Sequence, residues 1–393
     1  MRAAWQSKKV SEIAECSLGK MLDKAKNKGE PRPYLRNLNV RWFDFDLSNL
    51  LEMRFLPEEA AKYRVAKGDL VICEGGYPGR AAIWDRDEPI YFQKALHRVR
   101  FHQPENAKWC LYYLHAQNLD GTLKSHFNGA GIQHFTGEAL SRFQIPIPPL
   151  PEQQRIVDIL DKAFDGIAIV KINVEKNLQN ARALFESHLQ TVFTQRSEDW
   201  VEKRLEQIGT TQTGSTPKTA VRTNYGTFIP FVKPADFNKD GSLVYENAGL
   251  SEKGLEGARK VTAGSVLMVC IGATIGKCGY CDRDITTNQQ INALTPSEGI
   301  SHKFVYYQML SGNFQQRVLG KSGQATLPII NKSKWSALTV VLPPNVEEQT
   351  RIVGQLDALV GEIQRLESSY QQRLVALDTL KKSLLHQAFS GQL

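Results

Sequence analysis

The chain has 393 residues, 41% of them hydrophobic, a formal net charge of +8 and a pI near 9.0. That length holds two or three domains with separate cores, and no stretch approaches the 18 uninterrupted apolar residues that a membrane helix requires. Six cysteines are too few to staple so long a chain, so reduced thiols and a cytoplasmic protein are expected, while the basic balance is compatible with a polyanionic partner without demanding one.

Met1 to Val10 carries basic residues but no apolar run behind them, so no secretory signal is expected there. Residues 10–15 read as a short amphipathic turn or helix. Residues 20–36, rich in Lys, Gly and Pro, read as an irregular basic loop. Residues 35–42 alternate like a half-buried strand. A second strand-rich patch covers 63–72 with a turn at Gly68-Asp69, a glycine loop follows over 74–80, and an aromatic helix is predicted over 107–118.

From Pro148 the pattern changes. Pro148-Pro149 disfavours helix before it, and more than forty residues without proline follow after Pro151. Apolar residues recur at three- and four-residue steps through Ile156, Leu160, Ile167, Val170, Val174 and Ala181, which keeps one stripe in line along a helix of roughly 60 Å. The segment returns after Pro343-Pro344. Seven of the ten residues from Glu152 recur 196 positions later, from Glu348, and the second stripe runs through Ile352, Leu356, Ile363, Leu366, Tyr370 and Leu377. Both copies break the heptad at the same level, from Val174 to Leu178 and from Tyr370 to Leu374. Each exposes one apolar stripe, so the simplest solution is that the helices pack on each other.

The segments between repeat as well. Residues 200–209 match the start of the chain, 228–236 correspond to the predicted strand at Leu35, 261–269 align with 65–73, the loop 272–277 answers 76–80, and 304–310 answers the aromatic helix. The chain is therefore a tandem duplication: a mixed α/β module at 1–147, a helix at 148–196, a second module at 197–342 and a helix at 343–393. Shared layout with divergent loops suits two related modules that bind two different targets.

Catalytic patterns are sparse. The loop 272–278 is one residue short of a phosphate-binding loop and ends in Cys278 where a magnesium-binding hydroxyl belongs. Cys278 and Cys281 form a lone CxxC without a counterpart in the first module, so no metal is expected. No nucleophile elbow, zinc-protease helix or dinucleotide fingerprint occurs. DNA contacts must come from side chains able to reach phosphates or base edges. In the first module the candidates are Lys20, Lys24, Lys26, Lys28, Arg32 and Arg36 of the basic loop, Arg80, and Lys124, His126 and Asn128. In the second they are Thr211, Gln212, Thr213, Ser215, Lys218 and Arg222, then Lys277, Lys321 and Gln324.

With the peptides at 150–157, 183–190, 348–353 and 383–391, the chain resembles the specificity subunit of type I restriction-modification enzymes over essentially its full length. The resemblance implies two mixed α/β target-recognition domains separated by two long helices packed as an antiparallel coiled coil, with pseudo-twofold internal symmetry. It implies that the chain binds one half of a bipartite double-stranded DNA target with each domain and catalyses nothing. Adenine methylation would belong to modification subunits carrying S-adenosylmethionine, two per specificity subunit, and cleavage to restriction subunits using ATP and magnesium. Neither cofactors on this chain nor a membrane would be involved. Some members carry short tandem repeats after the first helix; residues 194–199 here form a brief unrepeated connection. The alternative is a non-catalytic duplicated scaffold that binds proteins, which would show little salt-dependent DNA affinity. The recognition part of a fused methyltransferase-nuclease, or a stand-alone enzyme, would need catalytic motifs that this sequence lacks.

Overall fold

The computed structural model describes residues 5–23, 25–323 and 327–393. It divides into two compact units, one combining Met1–Val174 with Gln372–Leu393 and the other formed by Glu175–Gln371. The division cuts across both long helices, so each unit is one module together with a part of each helix.

The first unit contains, in order, β1 (Gln6–Lys9), α1 (Val10–Ile13), β2 (Ala14–Leu18), β3 (Glu30–Leu35), β4 (Leu51–Phe55), α2 (Ala60–Tyr63), β5 (Arg64–Val65), β6 (Leu70–Cys73), β7 (Ala81–Ile83), β8 (Ile90–Phe92), β9 (Leu96–Phe101), α3 (Glu105–Asp120), α4 (Gly137–Arg142), β10 (Gln144–Ile147) and the start of α5 (Leu150–Thr194). One sheet has the order β2-β9-β6-β7 and is antiparallel throughout. A second, β4-β3-β8-β5, contains a parallel pair, β3 with β8, and β1 pairs with β10 in a two-stranded sheet. Side chains alternate across a strand, and β6 uses both faces. Leu70 and Ile72 join the core beside α3 and α5, whereas Val71 and Cys73 join the core shared with Leu35, Val65 and Phe92 of the second sheet. Burial on both sides accounts for the continuous apolar run at 70–73.

The second unit repeats the plan with β11 (Val201–Arg204), α6 (Leu205–Ile208), β12 (Gly209–Thr213), β13 (Tyr225–Val232), β14 (Gly249–Leu250), α7 (Glu252–Glu256), β15 (Lys260–Val261), β16 (Val266–Val269), β17 (Cys278–Tyr280), β18 (Ile285–Thr287), β19 (Ile291–Pro296), α8 (His302–Leu310), α9 (Gly312–Lys321), α10 (Lys332–Ser336), β20 (Thr339–Leu342) and the start of α11 (Val346–Phe389). Its sheets have the equivalent orders, β12-β19-β16-β17 and β14-β13-β18-β15. Where the first unit has the single helix α3, the second has α8 and α9, broken at Ser311, whose hydroxyl caps the new helix at the Phe314 amide.

The helix segments pair antiparallel within each unit. In the first, Arg155 donates to the Leu393 carbonyl, Lys171 pairs with Asp378, and Lys381 lies over the Phe164 ring, so rising numbers on α5 meet falling numbers on α11. Ile156, Leu160, Ile167 and Val174 are buried there, and Leu377 is half-buried. In the second, Arg182 pairs with Glu367. Ile352 and Leu356 are buried, and Ala181, Ile363 and Tyr370 half-buried. Val170 and Leu366, placed on the stripes by spacing, are exposed instead. One helix pair covers a single seam, and positions flanking it remain in water.

Two further expectations are corrected. The stretch 20–36 is not all loop, because residues 30–35 form β3. Pro31 and Pro33 fall opposite Arg54 and Glu52 of β4 at the same parity, while β8 pairs with β3 only at Tyr34 and Leu35. Both missing N–H groups therefore lie on one edge of a segment with a single ladder neighbour, where proline is tolerated. Residues 36–42 form a turn rather than a strand. The buried Asn39 side chain accepts from the Arg36 amide and donates to the Asp46 carbonyl, so its polar alternation marks a closed turn.

Candidate nucleic-acid interface

Each module is tied to its helix by the same three side chains. Lys108 and Tyr112, one turn apart on α3, donate to the two oxygens of Asp161 on α5, each at 2.6 Å. Lys303 and Tyr307 on α8 do the same to Asp357 on α11, at 2.8 and 2.6 Å. Burial first, and then the facing carboxylate, push both tyrosine hydroxyls well above their ordinary pKa, so they remain donors.

On these anchored modules, a glycine loop and a hairpin lie side by side. After β6, the Cys73 amide donates to the Arg80 carbonyl and the Gly79 amide to the Cys73 carbonyl; after β16, Val269, Lys277 and Gly276 make the same pair of bonds. Gly79 (φ 80) and Gly276 (φ 88) are left-handed, and an added Cβ would come within 2.5 Å of Leu123 and 2.1 Å of Gln315. Arg80 and Lys277 thus occupy equivalent places. In the first module the hairpin is closed by the bridge between Asn128 and His134, and the Phe135 amide donates to the Glu74 carbonyl of the loop. In the second, Gly323 bridges Ile329, the Gly272 amide donates to the Pro328 carbonyl, and the Ile330 amide to the Cys270 carbonyl.

The sequence-predicted contacts divide by partner. Lys20 is a correction: it is 7% exposed, and its ammonium donates to Glu59 at 2.5 Å and to the Arg54 carbonyl. Burial raises the Glu59 pKa, but Lys20 and the Leu56 amide outweigh it and leave the carboxyl below its usual range. Lys26 and Lys28 are exposed, with Lys26 3.7 Å from Asp23, and Arg32 pairs with Glu30 at the start of β3. Arg36 donates to the Asn49 carbonyl. Arg80 donates to the Asn37 carbonyl and lies 3.7 Å from the centroid of the exposed Tyr77 ring, while Asn37 itself donates to the Gly75 carbonyl. The structure thereby brings the turn at Arg36, Arg80 and Asn128 to one loop cluster. Lys124 is exposed on the turn before the hairpin, and the His126 ring packs against Phe143.

In the second module, Thr211, Gln212 and Thr213 lie on β12 and not in a loop. Thr211 accepts from Ser336, Gln212 donates to the Lys260 carbonyl, Thr213 donates to Asn292, and Ser215 accepts from the Arg259 amide. These polar groups have partners inside the module. Lys218 and Arg222 are exposed before β13, Lys277 is half-exposed, and Lys321 is exposed at the end of α9. Lys24 and Gln324 lie outside the described residues. Tyr77 and Asn37, absent from the sequence-based candidates, are found only through the contacts that gather around Arg80.

Cys278 and Cys281 enter different cores. Burial raises both thiols, Cys281 to about 11. Among the described residues, no group of three or more His, Cys, Asp or Glu side chains is placed to hold a metal, and no helix is long and apolar enough to cross a membrane.

The chain is similar to known proteins throughout. It is 25% identical over 155 residues to the type I restriction enzyme MjaIX specificity subunit of Methanocaldococcus jannaschii, a match covering 38% of this chain and 36% of that protein; the chain thus spans about a third of that relative's length in the match. It is 22% identical to the putative type I restriction enzyme MjaX specificity subunit of the same organism, with 99% of this chain and 93% of the relative covered. A solved chain from work on complex assembly and conformational transition of the type I R-M system superposes with a TM-score of 0.80 at 18% identity, covering 100% of this chain and 99% of that one, a likeness of fold. The family model described as Type I restriction modification DNA specificity domain matches twice, over residues 3–180 and 197–374. With both halves matched, the chain belongs to that family of type I restriction-modification specificity proteins.

Proposed function

We propose that this chain is the sequence-specific DNA-recognition subunit of a type I restriction-modification assembly, that each module binds one half of a bipartite duplex target, and that the chain directs adenine methylation and restriction by partner subunits while catalysing neither. The observation that carries this reading is the loop-and-hairpin edge built twice on one sheet plan with different side chains: Arg80 and Asn128 in one module, Lys277 and Gly323 in the other. A common frame with unlike contact residues suits two readers of two sequences. Lys26, Lys28, Arg32, Arg36, Arg80, Lys124, Lys218, Arg222, Lys277 and Lys321 supply cations for phosphate, and His126 and Asn128 supply groups for base edges.

The modules at 1–147 and 197–342 do the reading, and the helices at 148–196 and 343–393 set the spacing. Two modification subunits, carrying S-adenosylmethionine, dock on the helices, where Ile169, Ile172, Leu184, Val375 and Leu380 are exposed. Restriction subunits bring ATP and magnesium, and the assembly works in the cytoplasm. Co-expression with a type I modification subunit, followed by genome-wide mapping of methylated adenine, tests the proposal. A single bipartite sequence is expected. A purified complex that methylates without sequence preference, or binds DNA without salt dependence, refutes it.

A further inference from the structure

Among the exposed large hydrophobic side chains of the described residues, Ile132 is the most exposed, at 75%, and it lies inside the hairpin closed by Asn128 and His134. The second module has a counterpart. Its hairpin is closed by Gly323 and Ile329, and Leu327, 48% exposed, stands at the same position, four residues beyond the first bridging residue. A single exposed aliphatic residue means little; the same kind of residue at equivalent positions of two diverged modules indicates a shared use.

The base of each hairpin is fixed. Phe135 and Ile330, the residues that follow, are buried, and their amides donate to the glycine loop at 2.7 and 3.0 Å. The residues that follow Ile132 and Leu327 are therefore held on the loop cluster that also carries Arg80 in one module and Lys277 in the other. A cation beside an aliphatic contact matches the chemistry of a duplex groove, where phosphates flank base edges and the apolar group on the major-groove edge is the thymine 5-methyl.

We propose that Ile132 and Leu327 are specificity-determining residues, each packing against a thymine methyl in the half-site bound by its own module. This rests on the DNA-recognition reading above. Both side chains are exposed, so truncation leaves the fold intact.

The test uses the complex of the full chain with its modification subunit and duplexes in which single thymines of the mapped target are replaced by deoxyuridine, which lacks only the methyl. The wild-type complex should lose about fourfold in affinity, the weight of one buried carbon, at one thymine of the first half-site. Ile132→Ala should bind the thymine and uracil duplexes alike and leave the second half-site unchanged, and Leu327→Ala should mirror this at the other half. If Ile132→Ala keeps the wild-type sensitivity to the methyl, or if no thymine in that half-site is methyl-sensitive, the assignment fails while bipartite recognition stands. A wild-type complex without a bipartite target would instead bring down the functional reading beneath it.

Discussion

The Tyr112 hydroxyl donates to Asp161 at 2.6 Å and joins the recognition module to the helix that carries it; Tyr307 and Asp357 repeat the bond at the same length. Removing a hydrogen bond to a charged acceptor costs about 1.5–3 kcal/mol, and here each partly exposed aspartate keeps its lysine, so neither is stranded. Tyr112→Phe should therefore loosen the first module by about that amount, and Tyr307→Phe should do the same in the second. Hydrogen exchange across α3 and α8 measures each separately. Protection that is unchanged in both variants would show that the bond contributes nothing.

Lys20 and the exposed cations should behave oppositely. Lys20→Met removes the partner of Glu59 inside the module, so stability in urea should fall by about 1–3 kcal/mol while the salt dependence of DNA binding is retained. Lys28→Ala and Arg222→Ala should leave stability within about 0.5 kcal/mol and flatten the plot of log affinity against log salt, each by about 0.9 if it meets one phosphate. A flatter plot for Lys20→Met would contradict the structural role assigned to it.

His115 should make the first module acid-sensitive. Its ring packs 4.7 Å from Trp42 and 5.1 Å from Phe43, neither nitrogen has a hydrogen-bond partner, and burial, with a smaller contribution from Lys381, lowers its pKa to about 3. The unfolded chain binds the proton near pH 6.5 and the folded chain does not until near pH 3. The stabilising difference is thus fully present above pH 6.5 and is lost as pH falls through that window, by up to about 1.4 kcal/mol per unit. His115→Leu, which installs the residue type of the equivalent position Leu310, should remove this slope. Denaturation midpoints between pH 4 and 7 provide the comparison, and parallel curves for the two proteins would exclude His115 as the source.

Helix α5 passes from the first unit into the second at Val174, and α11 returns at Gln371, each without a break. Adding about four residues, one helical turn, at the same level of both should change the number of bases between half-sites and leave the half-sites themselves unchanged. Binding sites selected from random duplexes give the answer. Altered half-sites with an unchanged spacer would mean that the helices are not the ruler.

Periodicity and repetition carried most of the architecture. Leu70 to Ile72 reads as a strand from sequence, 261–269 aligns with 65–73, and Leu160-Asp161 with Leu356-Asp357 marks the duplication. The failures have a common cause. Lys20 looked like a surface cation because its partner, Glu59, is 39 residues away and reached only through the fold. Thr211 and Thr213 read as free hydroxyls because Ser336 and Asn292 are 125 and 79 residues away. Asn39 gave the stretch after Leu35 a false alternation by closing a turn, and Phe43 takes a left-handed conformation (φ 67) that no composition signal announces for an aromatic residue. Side-chain pairing across long sequence separation was the missing information.

The first unit is built from two distant stretches of chain, with Leu385 and Ala388 buried against Ile156 and Leu160, whereas the second is a single uninterrupted stretch. During synthesis the later module can therefore close while the earlier one still lacks part of its own core. The ribosome must deliver the last turns of α11 before Trp109 meets Phe389, and until then Ile156 and Leu160 lack Leu385 and Ala388 from their core. A chaperone that shields nascent chains would find its task concentrated on the part of the protein made first.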